Sequence, residues 1–339
     1  MRSFFVILAS LAVVTSCGSD GAADISAPQV DTQEPHISRP SIEPEIDFIE
    51  EEIALDALGG MWTQAADKDG VSMVIMVPGS GPTDRDGNNQ VMKSNSLRYL
   101  AHGLAKEGIS SIRVDKRGMF ASADAGDANH VSVEIYARDY RAWAEKGVSV
   151  SDRECVFLLG HSEGGLMVSA AALMVKNICG IILVAAPGRP FGDVLREQLK
   201  ANPANIIILK DAEAAISTLE AGERVDVSNY HSALKGLFNP AVQDYLISVF
   251  AVDPADILTR IDVPILIIQG ENDIQVSVAQ AERLGQAIGQ PPVVIEGMNH
   301  VLKAAPASRL ANLATYNSPD TPIDPMVVSA IANFIHTHR

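Results

Sequence analysis

Six consecutive residues, Gly160-His161-Ser162-Glu163-Gly164-Gly165, separate an apolar run, Val156-Phe157-Leu158-Leu159, from a helix-forming run over 166–176. Such a sequence dictates a short buried strand, a sharp turn and a helix, with Ser162 at the apex. The Gly-x-Ser-x-Gly spacing has a physical cause. The apex residue is held in a strained backbone conformation, and its neighbours must lack bulk so that strand and helix can pass close together. The helix N-terminus then aims backbone N–H groups at charge developing beside the serine. A bare five-residue match arises by chance in many chains. The strand before it, the helix after it and a second small residue at Gly165 make it specific.

The same alternation runs through most of the chain. Residues 53–64, 71–77, 109–114, 181–184, 263–269 and 293–296 read as strands, with a turn at Lys68-Asp69-Gly70. Leu97, Leu100, Ala101 and Leu104 recur at helical spacing behind Ser96 as N-cap, and Val133, Tyr136, Ala137 and Tyr140 mark a helix between Ser132 and Gly147. Ser277 with Gln280 forms a capping box ahead of a helix ending near Gly289, and Asp324-Pro325 opens the last helix. This predicts an α/β class with a mostly parallel sheet covered by helices on both faces. The alternation lapses at about 189–260, far more chain than a crossover needs. That stretch reads as an inserted, mainly helical cap over the C-terminal edge of the sheet, with helices near 191–199, 211–221 and 240–249.

The N-terminus is organised differently. Residues 1–17 hold Arg2 and an apolar stretch over 4–14, too short to span a bilayer and suited to a signal peptide. The run Val14-Thr15-Ser16-Cys17 resembles the lipobox of bacterial lipoproteins, which implies cleavage before Cys17 and lipid attachment to it. The expected location is then exported and lipid-anchored at the bacterial cell envelope, facing the periplasm if the cell is Gram-negative. Residues 18–47 carry four prolines, several carboxylates and no apolar period, so they read as a flexible tether. The globular unit is expected over 48–339. A formal net charge of −16 argues against nucleic acid as a partner. Cys155 and Cys179 each stand at the start of a core strand. They are expected as buried thiols, because parallel neighbouring strands give poor disulfide geometry.

A serine hydroxyl needs a base within hydrogen-bond reach, and the base needs an orienting acid. The strand over 263–269 ends in Gly270-Glu271-Asn272-Asp273, and the next ends in Gly297-Met298-Asn299-His300. Ser162, an acid and His300 therefore fall in the order described for α/β-hydrolases, each just beyond a strand. His231 lies in the cap, and His336 and His338 lie in the terminal helix. His161 is expected to pack in the turn. The oxyanion donors are expected to be the backbone N–H groups of Glu163 and of Ser80, the latter in the glycine-flanked loop after the strand over 71–77. Asp84, Asp86 and Asn88 have calcium-loop spacing, but the twelfth position is Asn95 rather than glutamate, so no metal is assigned. Those charges are expected to pin the loop through Arg85.

The segments Gly79-Ser80-Gly81-Pro82-Thr83-Asp84-Arg85-Asp86-Gly87-Asn88, Arg113-Val114-Asp115-Lys116-Arg117-Gly118, Gly160-His161-Ser162-Glu163-Gly164, Gly270-Glu271-Asn272-Asp273 and Asn299-His300 together resemble bacterial serine esterases of the α/β-hydrolase superfamily, most narrowly the esterase D-like group. The resemblance covers residues 51–339. It implies an eight-stranded sheet, Asp273 rather than Glu271 as the acid, and carboxylic ester hydrolysis through an acyl-enzyme without metal or cofactor. Pro78 departs from the pattern, standing where many relatives have histidine or another polar residue. The implied partner is a small-molecule acyl ester. An acyl-thioesterase or acyltransferase could use the same residues, and a non-catalytic lipid-anchored interaction protein is the alternative of another class. A peptidase is disfavoured for want of a propeller or an extended second domain.

Overall fold

Residues 48–66 and 72–339 are described by the computed structural model. The signal peptide, Cys17, the tether and the turn at Lys68-Asp69-Gly70 lie outside them. Eight strands form one sheet: β1 (Phe48–Leu55), β2 (Leu58–Ala65), β3 (Ser72–Val77), β4 (Ile109–Val114), β5 (Val156–His161), β6 (Ile178–Val184), β7 (Ile265–Gly270) and β8 (Val293–Ile295). Their order is β1-β2-β4-β3-β5-β6-β7-β8. β1 and β2 pair antiparallel, as do β2 and β4, and every other pair is parallel. The single strand expected over 53–64 is thus the middle of a hairpin. The chain reverses at Asp56-Ala57, and Asp56 takes φ 51° there. Aspartate tolerates that left-handed conformation, but without a following glycine the turn carries little sequence signal.

Helices cover both faces. On one face lie α1 (Ser96–Lys106) and, from the far end of the chain, α11 (Pro325–Thr337); on the other lie α2 (Val133–Ser151), α3 (Glu163–Ala172) and α9 (Val278–Ile288). The period-2 alternation of β3 shows how one strand serves both layers. Val74 and Met76 pack with Leu97, Leu100 and Ile331, while Met73, Ile75 and Val77 pack with Tyr140, Trp143 and Leu166. Between β6 and β7 the chain forms α4 (Phe191–Ala201), α5 (Leu209–Glu220), α6 (Ser232–Leu237), α7 (Gln243–Phe250) and α8 (Pro254–Leu258), the helical insertion expected there. α10 (Arg309–Ala314) follows β8. Among the described residues no helix is long and apolar enough to cross a membrane.

Three local expectations are corrected. Asn95, not Ser96, is the N-cap of α1, its φ of 55° lying outside the helix; its side chain accepts from Asn88 Nδ2 at 2.9 Å and makes no capping hydrogen bond. α2 runs through Gly147 to Ser151, since packing of that turn on β3 outweighs the local stop signal. Ser277 and Gln280 do not form a capping box. Ser277 reaches Glu197, and Gln280 accepts from the Gly188 N–H at 3.1 Å while donating to Glu197 at 3.1 Å.

Cys155 and Cys179 are joined in a disulfide with a Cα–Cα distance of 5.3 Å, correcting the expectation of separate thiols. The cause is a register irregularity between β5 and β6. Val156 pairs with Ile178 and Phe157 with Gly180, so Cys179 is skipped in the ladder and meets Cys155 just before β5. The bond closes a sequence separation of 24 residues. Replacing both cysteines by serine is expected to lower the unfolding free energy by about 3 kcal/mol. Denaturant titration of the oxidised protein and of the double variant measures this directly.

Candidate active site

Ser162 follows β5 and precedes α3, at φ 55° and ψ −128°. A non-glycine residue at positive φ is strained and persists only where its surroundings fix it. Two hydrogen bonds do so: the Ser162 N–H donates to Val184 O, and Gly165 N–H donates to Ser162 O, each at 2.9 Å. The turn is closed so tightly that a Cβ on Gly160 would lie 2.2 Å from Gly164 O. Glu163 is the first residue of α3, so its N–H is a first-turn donor without an intrahelical partner.

Asp273 lies beyond β7, and its side chain is fully buried. One carboxylate oxygen, Oδ1, accepts from the backbone N–H groups of Gln275 at 2.8 Å and Val276 at 2.9 Å. The other, Oδ2, accepts from Gln269 Nε2 at 3.0 Å and lies 2.8 Å from His300 Nδ1. Four donors fix the carboxylate, and it fixes the imidazole with Nδ1 as donor and Nε2 as acceptor. Glu271, the rival acid, instead accepts from the Gly297 N–H at 3.1 Å. His161 Nε2 donates to His300 O at 2.8 Å. Burial and the neighbouring His300 push the His161 ring down to about 4, so it is neutral at pH 7 and braces the His300 loop. His231 caps α6 and is exposed.

Ser80, Ser162, Glu163 and His300 line one small cavity, with Asp273 behind His300. The loop after β3 closes its other side. A Cβ on Gly79 would come within 3.0 Å of Ser162 Cβ, so only glycine lets this backbone approach the serine. Asp84 Oδ1 accepts from Asp86 N–H at 2.9 Å and Asn88 N–H at 2.8 Å. Contrary to expectation, these charges do not pin the loop through Arg85: Arg85 pairs with Asp115 at 3.2 Å, and Asp86 pairs with Arg113 at 2.9 Å. These carboxylates are occupied by protein donors, and no group of metal-ligating side chains is found among the described residues.

Lys116 stands in the Arg113–Gly118 motif, where the sequence alone assigns it no role. Its buried Nζ donates to Gly79 O at 2.5 Å and to Gly81 O, the carbonyls on either side of Ser80. Burial lowers its pKa to about 8, against the opposing pull of Glu163 and Asp115. With Pro78 at the head of the loop, Lys116 supplies the tether. Lys116→Met is expected to lower kcat between about tenfold and a hundredfold, with KM changed far less, because it displaces a donor rather than the substrate. Steady-state kinetics against thermal unfolding separate this from loss of fold. The hint in the sequence was a lysine two residues past the buried strand β4. Gln269 was missed too; it is a lone polar side chain ending the apolar strand β7.

A mostly parallel eight-stranded sheet with an antiparallel hairpin at one edge, a strained serine between strand and helix, and an Asp–His pair on the following loops define the α/β-hydrolase fold. The chain has the α/β-hydrolase fold, and over residues 91–232 it matches the Hydrolase_4 family model, described as serine aminopeptidase, S33. It is 28% identical over 269 residues to esterase EstD of Thermotoga maritima, an alignment covering 77% of this chain; the chain spans 61% of that relative's length. Among solved structures it is similar to ferulic acid-bound Est1E of Butyrivibrio proteoclasticus, with TM-score 0.53 and 15% identity, over 85% of this chain and 98% of that one. It is also similar to a puromycin-hydrolyzing peptidase of Mycobacterium tuberculosis, with TM-score 0.54 and 17% identity, over 88% of this chain and 41% of that one.

Proposed function

We propose that the protein is a serine hydrolase that cleaves carboxylic esters through an acyl-enzyme, with Ser162 as nucleophile, His300 as base and Asp273 as its orienting acid. The observation that carries this reading is the 2.8 Å contact of His300 Nδ1 with Asp273, with His300 and Ser162 lining the same cavity. The EstD relative supports the choice of ester. Ser162 Oγ attacks the ester carbonyl as His300 Nε2 takes its proton. The carbonyl oxygen becomes an oxyanion received by the N–H groups of Ser80 and Glu163. Collapse breaks the bond to the alcohol oxygen, which takes the proton from His300. Water, giving a proton to His300, then attacks the acyl-serine, and the acid leaves as the proton returns to Ser162.

A fluorophosphonate probe tests the nucleophile: labelling is expected at Ser162 and absent in Ser162→Ala. Folded wild-type protein that stays unlabelled would favour a non-catalytic interaction protein. The matched family description favours a second reading, an aminopeptidase. Turnover of aminoacyl p-nitroanilides above that of p-nitrophenyl esters would select it, and faster acyl-thioester turnover would select a thioesterase.

The lipid anchor at Cys17 and the envelope location belong to the same proposal. The lipobox-like run supports them, and so does the Cys155–Cys179 disulfide, since such bonds persist in oxidising compartments. Radiolabelled palmitate is expected to enter the wild type and not Cys17→Ala; equal incorporation would remove the anchor.

A further inference from the structure

A second cavity, of about 720 Å³, opens directly behind the oxyanion loop and beneath the helical insertion. Ser80, Glu163 and Phe191 line both it and the small cavity at Ser162, so the two adjoin. Its size falls in the range that encloses a drug-sized molecule, roughly 300–1,000 Å³. A two- or four-carbon group would leave most of it to water. Its walls are apolar, with Met119, Phe120, Val242 and Leu246 among them.

The buried charged and phenolic groups of its lining are Lys116, Tyr136, Glu163 and Tyr245. Lys116 is committed to the carbonyls of the oxyanion loop. The Tyr245 hydroxyl is buried and makes no well-formed hydrogen bond; the group it faces is the Glu163 carboxyl, which also interacts with the Ser80 hydroxyl. Burial pushes the Glu163 carboxyl up, against the pull of Lys116. An incoming carboxylate would meet Glu163 and, in the cavity lining, Asp127. An incoming ammonium would be a second buried cation beside Lys116 and would lose its hydration. A neutral hydroxyl fits, donating to Glu163 and accepting from Tyr245.

The position of His300 decides which side of the ester enters. His300 lines the small cavity and not the large one. It must protonate the departing alcohol, so the alcohol lies on its side and the acyl group extends the other way, past Ser80 and Glu163. We propose that the large cavity is an acyl site for a bulky, mainly apolar acid carrying a hydroxyl, held between Glu163 and Tyr245. This rests on the hydrolase reading above and narrows its substrate class.

The test compares methyl esters of butanoate, 3-phenylpropanoate, 3-(4-hydroxyphenyl)propanoate and 3-(4-aminomethylphenyl)propanoate on the full chain. The expected kcat/KM rises at least about tenfold from butanoate to phenylpropanoate, and a further two- to tenfold with the phenol hydroxyl. Tyr245→Phe is expected to erase the hydroxyl gain, and Val242→Trp, by narrowing the cavity, the phenyl gain; circular dichroism checks that both fold. Butanoate cleaved as fast as the aryl esters, a hydroxyl gain untouched in Tyr245→Phe, or the ammonium ester preferred to the phenol would each overturn the assignment. Butanoate turnover that depends on Ser162 keeps the hydrolase reading intact in those cases. If the folded protein cleaves none of the four, both readings fall together.

Discussion

Ser162→Ala is expected to lower kcat for any accepted ester by about six orders of magnitude while leaving the thermal midpoint nearly unchanged or raised. In the proposed mechanism the hydroxyl oxygen is the atom that becomes acylated, and the neighbouring hydroxyl is held elsewhere. Its cavity neighbour Ser80 has its backbone tied by Lys116 on both sides and its side chain at Glu163. The fold does not depend on the Ser162 side chain, because its backbone hydrogen bonds to Val184 and Gly165 remain. Alanine tolerates φ 55° no better than serine does, so the backbone strain is carried over rather than relieved. Loss of no more than tenfold in a homogeneous preparation would exclude Ser162 as the nucleophile.

Asp273→Asn is expected to cost about four orders of magnitude in kcat, and whether it also costs stability depends on which way the amide faces. The carboxylate accepts four hydrogen bonds through two oxygens. An amide has one oxygen and one NH₂. If the oxygen stays toward Gln275 and Val276, the NH₂ faces His300 Nδ1 and turns the imidazole to the tautomer whose Nε2 carries a proton. That nitrogen then cannot accept from Ser162. If the amide flips, two buried backbone N–H groups lose their acceptor, at about 1–3 kcal/mol each. The two outcomes separate experimentally: the first leaves denaturation unchanged and abolishes turnover, the second lowers both. Near wild-type kcat would remove Asp273 from the mechanism.

The core of the fold was legible because it rests on local signals. Apolar runs such as Val156-Phe157-Leu158-Leu159 exist only to be buried on both faces, and the glycines around Ser162 answer to one turn geometry. The Asp273–His300 contact was legible only as order along the chain, each residue just past a strand. What escaped depends on the third dimension. Lys116 meets Gly79 and Gly81 only because β3 and β4 are adjacent parallel strands whose ends lie side by side. The disulfide depends on one skipped residue in the β5–β6 register, which periodicity cannot reveal. Tyr245 comes from α7, more than eighty residues after the serine whose neighbour it faces.

The outermost strand of the sheet, β1, carries Glu50, Glu51 and Glu52 in succession. A bare strand edge is a template on which another polypeptide can add itself, and clustered like charge makes that addition unfavourable. The opposite border, β8, is three residues long and offers little to add to. Both borders therefore offer little to strand-by-strand addition of a second polypeptide.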